Sequence, residues 1–345
     1  MHSLEVFERL YQGDTVKIRQ KMRELNFDIY PNTYANMPST ILSFFNLFTG
    51  NPFVISDAEY HARNLMTWQA YNPIYEILKN NGYSINAFLM NDYLGYRADS
   101  KIDSMVVLSE FYNSNETFNM MTSLIHKDID ALIAETKSLE QINHNMSLEL
   151  LAHVEKRSAS NPSFCLIYAG AAHMDFVTYQ IRQDWEKLWN AAYSRIYRYS
   201  IDTILYSVQR IVEKDPEALI VFIGDHGAQK YGAVGLNVLG GSTALDDIRW
   251  QHDNPGNPAS AFQSQGLTET DIADDVFSTL CAVRWPVPNF TNGRVLSHAN
   301  LFRHIFAALL EDLSILDYCV PNISQVDGWL AVHEGRPLKR WVRMR

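Results

Sequence analysis

The sequence predicts an α/β fold, a three-layer α/β/α domain built around a mostly parallel central sheet. Short apolar runs alternate with longer stretches of helical periodicity along the chain, an order typical of strands that alternate with helices. Several of these runs are continuously apolar, as expected for strands that are covered by helices on both faces. Hydrophobic residues make up 47% of the 345 residues, which is enough to build a large core.

The elements follow from these patterns. The predicted strands are Pro52–Ser56, Ile85–Met90, Met105–Phe111, Phe164–Ala169, Ala218–Ile223 and Val276–Val283. The predicted helices are Leu4–Leu25, Thr40–Phe48, Glu59–Asn80, Asn115–Thr136, Met146–Lys156, Trp185–Lys214 and Asn300–Leu310. Residues 232–265 are rich in Gly, Asn and Pro without a clear period, which predicts a long loop of the kind that often carries function. We expect one domain over residues 1–345, with residues 311–345 as a C-terminal extension.

The charge balance limits the choice of partners. With 29 basic and 39 acidic residues, the chain has a formal net charge of −10, which argues against a general nucleic-acid-binding protein. One local basic segment near the C-terminus consists of Arg336, Lys339, Arg340, Arg343 and Arg345. Such a segment is most often a solvated tail, and its alternative role is contact with an anionic lipid or polymer.

No membrane or targeting segment is visible. The N-terminal residues are charged and amphipathic and lack the apolar region of a signal peptide. The longest apolar runs are far shorter than the roughly 20 residues that cross a bilayer. We therefore expect a soluble chain without a transmembrane segment, cytoplasmic if Met1 is the native start and envelope-associated if the chain is part of a longer protein. The pattern does not indicate an oligomeric state.

The strongest chemical signal is the GDHG sequence of residues 224–227, directly after a predicted strand. The carboxyl ends of strands are where α/β folds place their ligands. Asp225 and His226 offer a carboxylate oxygen and an imidazole nitrogen, which are good ligands for zinc or manganese. The alternative is a turn in which Asp225 caps the next helix, and the pattern alone leaves both interpretations open.

A second signal lies in NTYANMPSTILSFFNLFTG, residues 32–50. Here Ser39 and Thr40 precede a helical apolar pattern. A hydroxyl side chain at this position can cap the helix. It can also act as a nucleophile at the positive end of the helix dipole, where an anionic substrate would bind.

Together the two segments resemble the alkaline phosphatase/sulfatase superfamily. In its sulfatases a CxPSR nucleophile motif precedes a TG pair; here Thr49 and Gly50 match that pair, and Thr40 falls at the nucleophile position. The GDHG sequence matches the family's late metal motif. Towards the C-terminus, DDVFSTLCAVRWP and SHANLFRHIF resemble sulfatase-like proteins from bacterial envelope-polysaccharide contexts. The similarity spans roughly residues 20–310.

The resemblance implies an alkaline phosphatase-like fold and a metal-dependent phosphodiester hydrolase or phosphotransferase. Because the nucleophile position holds Thr40 and no Cys lies near it, the formylglycine chemistry of sulfatases is disfavoured. Thr nucleophiles occur in the branch that transfers phosphoglycerol or phosphoethanolamine onto glycans and lipids. The implied substrate is therefore an anionic ester on an envelope glycan or lipid.

The resemblance also assigns roles to individual residues. Thr40, rather than Ser39 or Ser43, is the nucleophile, because only Thr40 is in register with the TG pair. A divalent metal ion, zinc or manganese in preference to magnesium, is bound by Asp225, His226 and Thr40, joined by His252 or Asp253 if the long loop brings them in. In LIYAGAAHMDFVTY, His173 corresponds to a histidine that faces the phosphate or sulfate of the substrate.

One departure from the family pattern limits these expectations. The family begins with a strand that ends in a metal-binding acid, whereas the first 39 residues here are predicted to be helical. We therefore expect the chain to lack the family's first strand, and the metal to be weakly bound or absent. This departure supports the alternative of a non-catalytic sulfatase-like scaffold that binds a glycan or a partner protein. A sulfuric ester hydrolase is the third possibility.

Overall fold

The computed structural model describes ten stretches of the chain: residues 1–38, 40–52, 72–89, 101–107, 144–156, 162–168, 185–228, 267–286, 295–326 and 329–344. The chain forms two compact units, and one domain over residues 1–345 stays a prediction. Unit 1 comprises Met1–Trp68 and Glu217–Arg345, and unit 2 comprises Gln69–Pro216.

Helices and strands alternate along the described residues. The helices are α1 (Leu4–Tyr11), α2 (Val16–Glu24), α3 (Thr40–Thr49), α4 (Pro73–Asn80), α5 (144–156), α6 (Trp185–Lys214), α7 (Glu269–Phe277) and α8 (His298–Leu309), and Leu313–Tyr318 form a 3₁₀ helix. The strands are β1 (Asp28–Ile29), β2 (Ser84–Leu89), β3 (Ser104–Val107), β4 (Ser163–Tyr168), β5 (Ile220–Ile223), β6 (Cys281–Arg284), β7 (Ile323–Val326), β8 (Trp329–His333) and β9 (Arg336–Arg343).

Unit 2 contains a parallel three-stranded sheet in the order β3-β2-β4. The central strand β2 is buried from Ile85 to Leu89, which explains its continuously apolar sequence. Its Phe88 packs with Met146 and Leu150 of α5 in an apolar cluster. The helix α4 begins at Pro73, because Asn72 accepts hydrogen bonds from the first free backbone N–H groups.

Unit 1 contains two antiparallel sheets, β1-β6-β5 and β7-β8-β9. The α/β class is thus confirmed, but among the described strands the predicted mostly parallel arrangement is found in the sheet of unit 2 and not in the two sheets of unit 1. The strand before Asp225, β5, pairs antiparallel with β6. The reason is local: α7 ends beside Gly227, whose N–H donates to Val276 O at 2.9 Å. Strand β6 therefore begins where β5 ends and runs back along it.

Two predicted elements in unit 1 differ from the structure. The predicted helix Leu4–Leu25 is two helices, because Gln12 adopts the left-handed conformation with φ 54° and ends α1. Gly13 then passes so close to the ring of Phe7 that a Cβ would overlap it. Helical periodicity on both sides concealed this break, and it also concealed the two-residue strand β1.

The predicted strand Val276–Val283 is wrong in its first part. A capping box between Thr268 and Asp271 starts α7, which continues through Phe277. The apolar residues Ile272 and Val276 are buried on this helix, so they supply its packing face. The strand itself begins only at Cys281.

Several predicted elements lie outside the described residues. These are the helix Asn115–Thr136, the long loop of residues 232–265, and most of the strand Pro52–Ser56 and of the N-terminal part of the helix Glu59–Asn80. No helix in the described stretches combines the length and the apolar character needed to cross a bilayer.

The C-terminal extension is an ordered part of unit 1. Its strand β9 packs against α7 through Trp341, which is 4% exposed. The Trp341 indole N–H donates to Glu269 O at 3.1 Å, and its ring centroid lies 6.4 Å from that of Phe277. The basic residues from Arg336 to Arg343 therefore lie on a strand, which differs from the solvated tail that such a sequence most often forms.

Candidate active site

The first residue of α3, Thr40, is held in place by the packing of that helix. Phe48 of α3 is 1% exposed and packs on Phe302 of α8, with ring centroids 5.5 Å apart. Arg303 of α8 donates to Gly50 O at 3.0 Å just beyond the helix. Ser43, one turn after Thr40, is buried and donates to Met37 O at 2.8 Å. The hydroxyl group of Ser43 thus has a structural partner, while Thr40 is only partly buried.

The GDHG segment leaves the end of β5 in a tightly packed turn. Gly224 N–H donates to Leu280 O at 2.8 Å, and a Cβ on Gly224 would overlap the carbonyl oxygen of Met1. A Cβ on Gly227 would overlap the carbonyl oxygen of Asp275. Both positions exclude larger residues because main chain lies in the space that a side chain would need.

Thr40, Asp225 and His226 converge at this turn. The hydroxyl group of Thr40 donates to Asp225 Oδ2 at 2.7 Å, and its Oγ1 lies 3.2 Å from His226 Nε2. His226 Nε2 lies 3.4 Å from Asp225 Oδ2, and the two side chains are 17% and 24% exposed. The structure thus brings together three residues that the sequence singled out, although Thr40 and Asp225 are 185 positions apart.

The tautomer of His226 follows from its second nitrogen. Nδ1 lies 2.7 Å from Gly227 O. Because a carbonyl oxygen only accepts hydrogen bonds, Nδ1 carries the proton in the neutral ring. His226 Nε2 therefore presents a lone pair towards Thr40, as a histidine ligand does towards a metal ion.

Asp225 is held in its ionised form. Burial alone would raise its pKa, but His226, the Met1 ammonium group and the hydrogen bond from Thr40 together hold the pKa of Asp225 below its usual range. The Met1 ammonium group donates to His226 O at 2.7 Å and lies 3.9 Å from Asp225 Oδ1. The Asp225 carboxylate itself is therefore ionised at neutral pH, with the Met1 ammonium group as its neighbour.

A buried polar network beneath the turn connects it to α1 and α7. His2 and Asp275 are both fully buried. His2 Nε2 lies 3.1 Å from Ala228 N, 2.8 Å from Asp275 O and 3.5 Å from Asp275 Oδ1. The same carboxylate accepts a hydrogen bond from Tyr11. Residues 273 positions apart thus fix the end of the GDHG segment. No sequence pattern marks His2, and Asp275 stands out only as part of the DDVFSTLCAVRWP segment, which assigns it no role.

Two further histidines, His298 and His304 of α8, are buried. His298 is 1% exposed, and its Nε2 lies 3.3 Å from Thr279 Oγ1. Burial lowers the pKa of His298 to about 3 and that of His304 to about 4. Both rings are therefore neutral at physiological pH.

The donor atoms at the turn suit a divalent metal ion. Asp225 offers a carboxylate oxygen, His226 a lone pair on Nε2, and Thr40 a hydroxyl oxygen, all within 3.4 Å of one another. This mixed oxygen and nitrogen set matches the ligands of zinc and manganese. Within the described stretches, no group of three His, Cys, Asp and Glu side chains is arranged to hold a metal ion.

The remaining predicted site residues cannot be placed. His173, the predicted substrate-facing histidine, and His252 and Asp253, the predicted additional ligands, lie outside the described residues. The same holds for Ser39, the neighbour of Thr40. Their roles stay predictions.

The comparisons with known proteins add no further assignment. The chain matches no protein-family model, and no curated protein has a significantly similar sequence. Membership of the alkaline phosphatase/sulfatase superfamily therefore stays a prediction from the motifs.

Proposed function

We propose that this protein is a metal-dependent phosphodiester hydrolase or phosphotransferase of the alkaline phosphatase/sulfatase type. Its substrate is an anionic ester carried by an envelope glycan or lipid, and Thr40 is the nucleophile. The observation that carries the proposal is the 2.7 Å hydrogen bond from Thr40 Oγ1 to Asp225, with His226 Nε2 3.2 Å away. If Thr40 only capped α3 and Asp225 only belonged to a turn, their contact with each other and with His226 would not be expected.

Each of the three residues has a distinct task in the reaction. Asp225, His226 and Thr40 would hold a divalent cation, which would supply Lewis-acid polarisation of the phosphoryl group and of the hydroxyl group. Asp225 Oδ2 accepts the hydrogen bond that orients the Thr40 hydroxyl group. The backbone N–H groups at the start of α3 favour the negative charge of the substrate.

Covalent catalysis at Thr40 then proceeds in two steps. A bond forms between Thr40 Oγ1 and phosphorus as the bond from phosphorus to the leaving oxygen breaks, and that oxygen departs with the electron pair. The hydroxyl proton of Thr40 passes along its hydrogen bond to Asp225 Oδ2 and from there to the leaving oxygen. In the second step an oxygen of water or of an acceptor hydroxyl group bonds to phosphorus as the bond between phosphorus and Thr40 Oγ1 breaks, and the proton of the attacking group returns to Thr40 Oγ1. Attack by water makes the protein a hydrolase, and attack by an acceptor hydroxyl group makes it a transferase.

The decisive experiment compares Thr40 with its neighbour on α3. With zinc or manganese added, Thr40→Ala should lower kcat/KM for bis(p-nitrophenyl) phosphate by at least about 1000-fold, because the nucleophile is lost. Thr40→Ser should retain measurable activity, because it keeps a hydroxyl group. Ser43→Ala is the control, since Ser43 is buried and bonded to Met37 O; it should change kcat/KM by less than about threefold. Full activity in Thr40→Ala would refute the assignment, and its loss in Ser39→Ala instead would move the role to Ser39.

Metal binding provides a separate test. Isothermal titration should show zinc or manganese binding that weakens by at least about 100-fold in Asp225→Ala, because a charged ligand is removed. Metal binding without turnover of phosphate or sulfate esters would instead support the non-catalytic scaffold. Turnover of p-nitrophenyl sulfate in preference to the phosphodiester would support the sulfuric ester hydrolase.

A further inference from the structure

The basic strand, defined here as residues 336–344 on β9 and just after it, concentrates positive charge in an acidic protein. It contains Arg336, Lys339, Arg340 and Arg343 and no acidic residue, while the whole chain has a net charge of −10. All four of these basic residues are exposed. At about 3.3 Å per residue, they extend over roughly 20–25 Å of strand.

The basic strand is fixed in the fold of unit 1. Its two ends pair with β8, at Arg336 opposite His333 and at Arg343 opposite Trp329. Between those ends the register with β8 shifts, and α7 supplies partners for the strand instead. There Glu269 accepts a hydrogen bond from the Trp341 N–H, and Thr270 donates to Leu338 O at 3.4 Å. The cations are therefore presented on a held backbone, so little conformational entropy is lost when they bind a partner.

Three of the four cations on the basic strand, Arg336, Lys339 and Arg340, are not paired with acidic side chains of the described residues. By contrast, Arg9 and Arg19 of α1 and α2 are paired with acidic side chains. Unpaired cations in a protein with an overall negative charge indicate that a negatively charged partner completes the surface.

Exposed apolar side chains accompany these cations. Val342 is 54% exposed and Met344 is 36% exposed. A polyanion in water would gain little from apolar side chains beside its charges. A lipid bilayer accommodates both, because cations contact the anionic headgroups while apolar side chains enter the boundary with the acyl chains.

We propose that the basic strand docks unit 1 onto the surface of a bilayer that contains anionic lipid. Val342 and Met344 enter the interfacial layer on the face of the strand that they share with Arg340, and the long side chains of Arg336, Lys339 and Arg343 reach the headgroups around it. The interaction is peripheral and reversible. It does not depend on the function proposed for Thr40 and its neighbours.

The test measures partitioning of the full chain onto vesicles by sedimentation. Binding to vesicles of phosphatidylglycerol and phosphatidylcholine should exceed binding to pure phosphatidylcholine by at least about tenfold, and should weaken as salt rises. Lys339→Glu combined with Arg340→Glu should lower the partition constant by at least about 20-fold, since each cation near an anionic surface contributes about fivefold. Equal binding to both kinds of vesicle would overturn the proposal.

A matched control has the same change of charge elsewhere in unit 1. Lys17→Glu combined with Arg23→Glu alters two exposed residues of α2 and should lower the partition constant by less than about threefold. An equal loss in both double variants would show that only net charge matters, and would overturn the docking surface. Val342→Ser combined with Met344→Ser retains every cation and should weaken binding several-fold. A different result would be that soluble polyphosphate displaces the protein from the vesicles while the two serine substitutions leave vesicle binding unchanged. That result would show that the basic strand binds a soluble polyanion and not a bilayer.

Discussion

The two compact units differ in what they bury. In unit 2 the central strand β2 and helix α5 form an apolar cluster around Phe88, Met146 and Leu150. In unit 1 the residues beneath the GDHG segment include fully buried charged and polar groups such as His2 and Asp275. The apolar cluster of unit 2 is thus formed by segments whose local sequence patterns already indicate burial, and apolar packing stabilises it. Unit 1 depends on a polar network whose members come from distant parts of the sequence, and that network fixes the candidate site.

The largest expected effect contrasts a glycine in each unit. In Gly227→Ala the new Cβ would overlap the carbonyl oxygen of Asp275, so the GDHG turn must move. We expect a loss of more than about 4 kcal/mol in the free energy of unfolding, or failure to fold. Gly82→Ala is the control in unit 2. Gly82 has φ +78° but open space around its Cβ position, so the cost should be about 1–2 kcal/mol.

Urea denaturation at neutral pH measures both variants. Equal losses in Gly227→Ala and Gly82→Ala would mean that the GDHG turn tolerates a side chain. That result would contradict the close packing of the turn against α7.

A smaller effect contrasts one buried polar side chain in each unit. Asp275→Ala removes the carboxylate that accepts from Tyr11 and lies 3.5 Å from His2 Nε2. Removal of one member of a buried charged network should lower the free energy of unfolding by about 3 kcal/mol. In unit 2, Asn86 donates to Ser163 Oγ at 2.9 Å, and Asn86→Ala should cost about 1 kcal/mol.

Metal binding by these two variants also distinguishes the two units. Asp275→Ala should also weaken metal binding, because its partner His2 lies 3.1 Å from Ala228 N next to the GDHG segment. Asn86→Ala should leave metal binding unchanged. If both variants lose stability alike and bind metal alike, the network does not position the site.

The same contrast explains what the sequence could predict. The strands of unit 2 and the helix α6 were predicted closely, because apolar runs and helical periodicity are local properties. Thr40, Asp225 and His226 could be predicted because the GDHG segment and the register with the TG pair mark them in the sequence. The antiparallel pairing of β5 with β6 was missed, since α7 was partly read as a strand. His2 and Asp275 were missed because neither a residue just before α1 nor a single polar residue within α7 has a periodic signature.

The smallest predicted effect is the loss of stability in acid that the buried histidines of unit 1 should cause. Burial lowers the pKa of His304 to about 4 and that of His298 to about 3, from 6.5. Between pH 6.5 and 4 the unfolded chain therefore binds protons that the folded chain does not. The free energy of unfolding should fall with falling pH, by up to about 1.4 kcal/mol per pH unit for each histidine. Asp274 opposes this trend, because burial raises its pKa to about 6 and the folded chain retains its proton longer.

The variant His304→Leu isolates one of these protons. Among the described residues, the lowered pKa values of His2, His298 and His304 outweigh the raised pKa of Asp274, so the wild-type free energy of unfolding should fall between pH 6.5 and 5. His304→Leu should make that fall shallower by up to about 1.4 kcal/mol per pH unit, whatever its effect on stability at pH 7.

The control in unit 2 is Asp103→Asn. The pKa of Asp103 is lowered by its hydrogen bond from Lys79, so its contribution to stability is present above pH 4 and is lost only as the pH falls further. Asp103→Asn should therefore leave the slope between pH 6.5 and 5 unchanged. A slope that is the same in His304→Leu and in the wild type would show that burial does not lower the pKa of His304, and that acid sensitivity does not distinguish the two units.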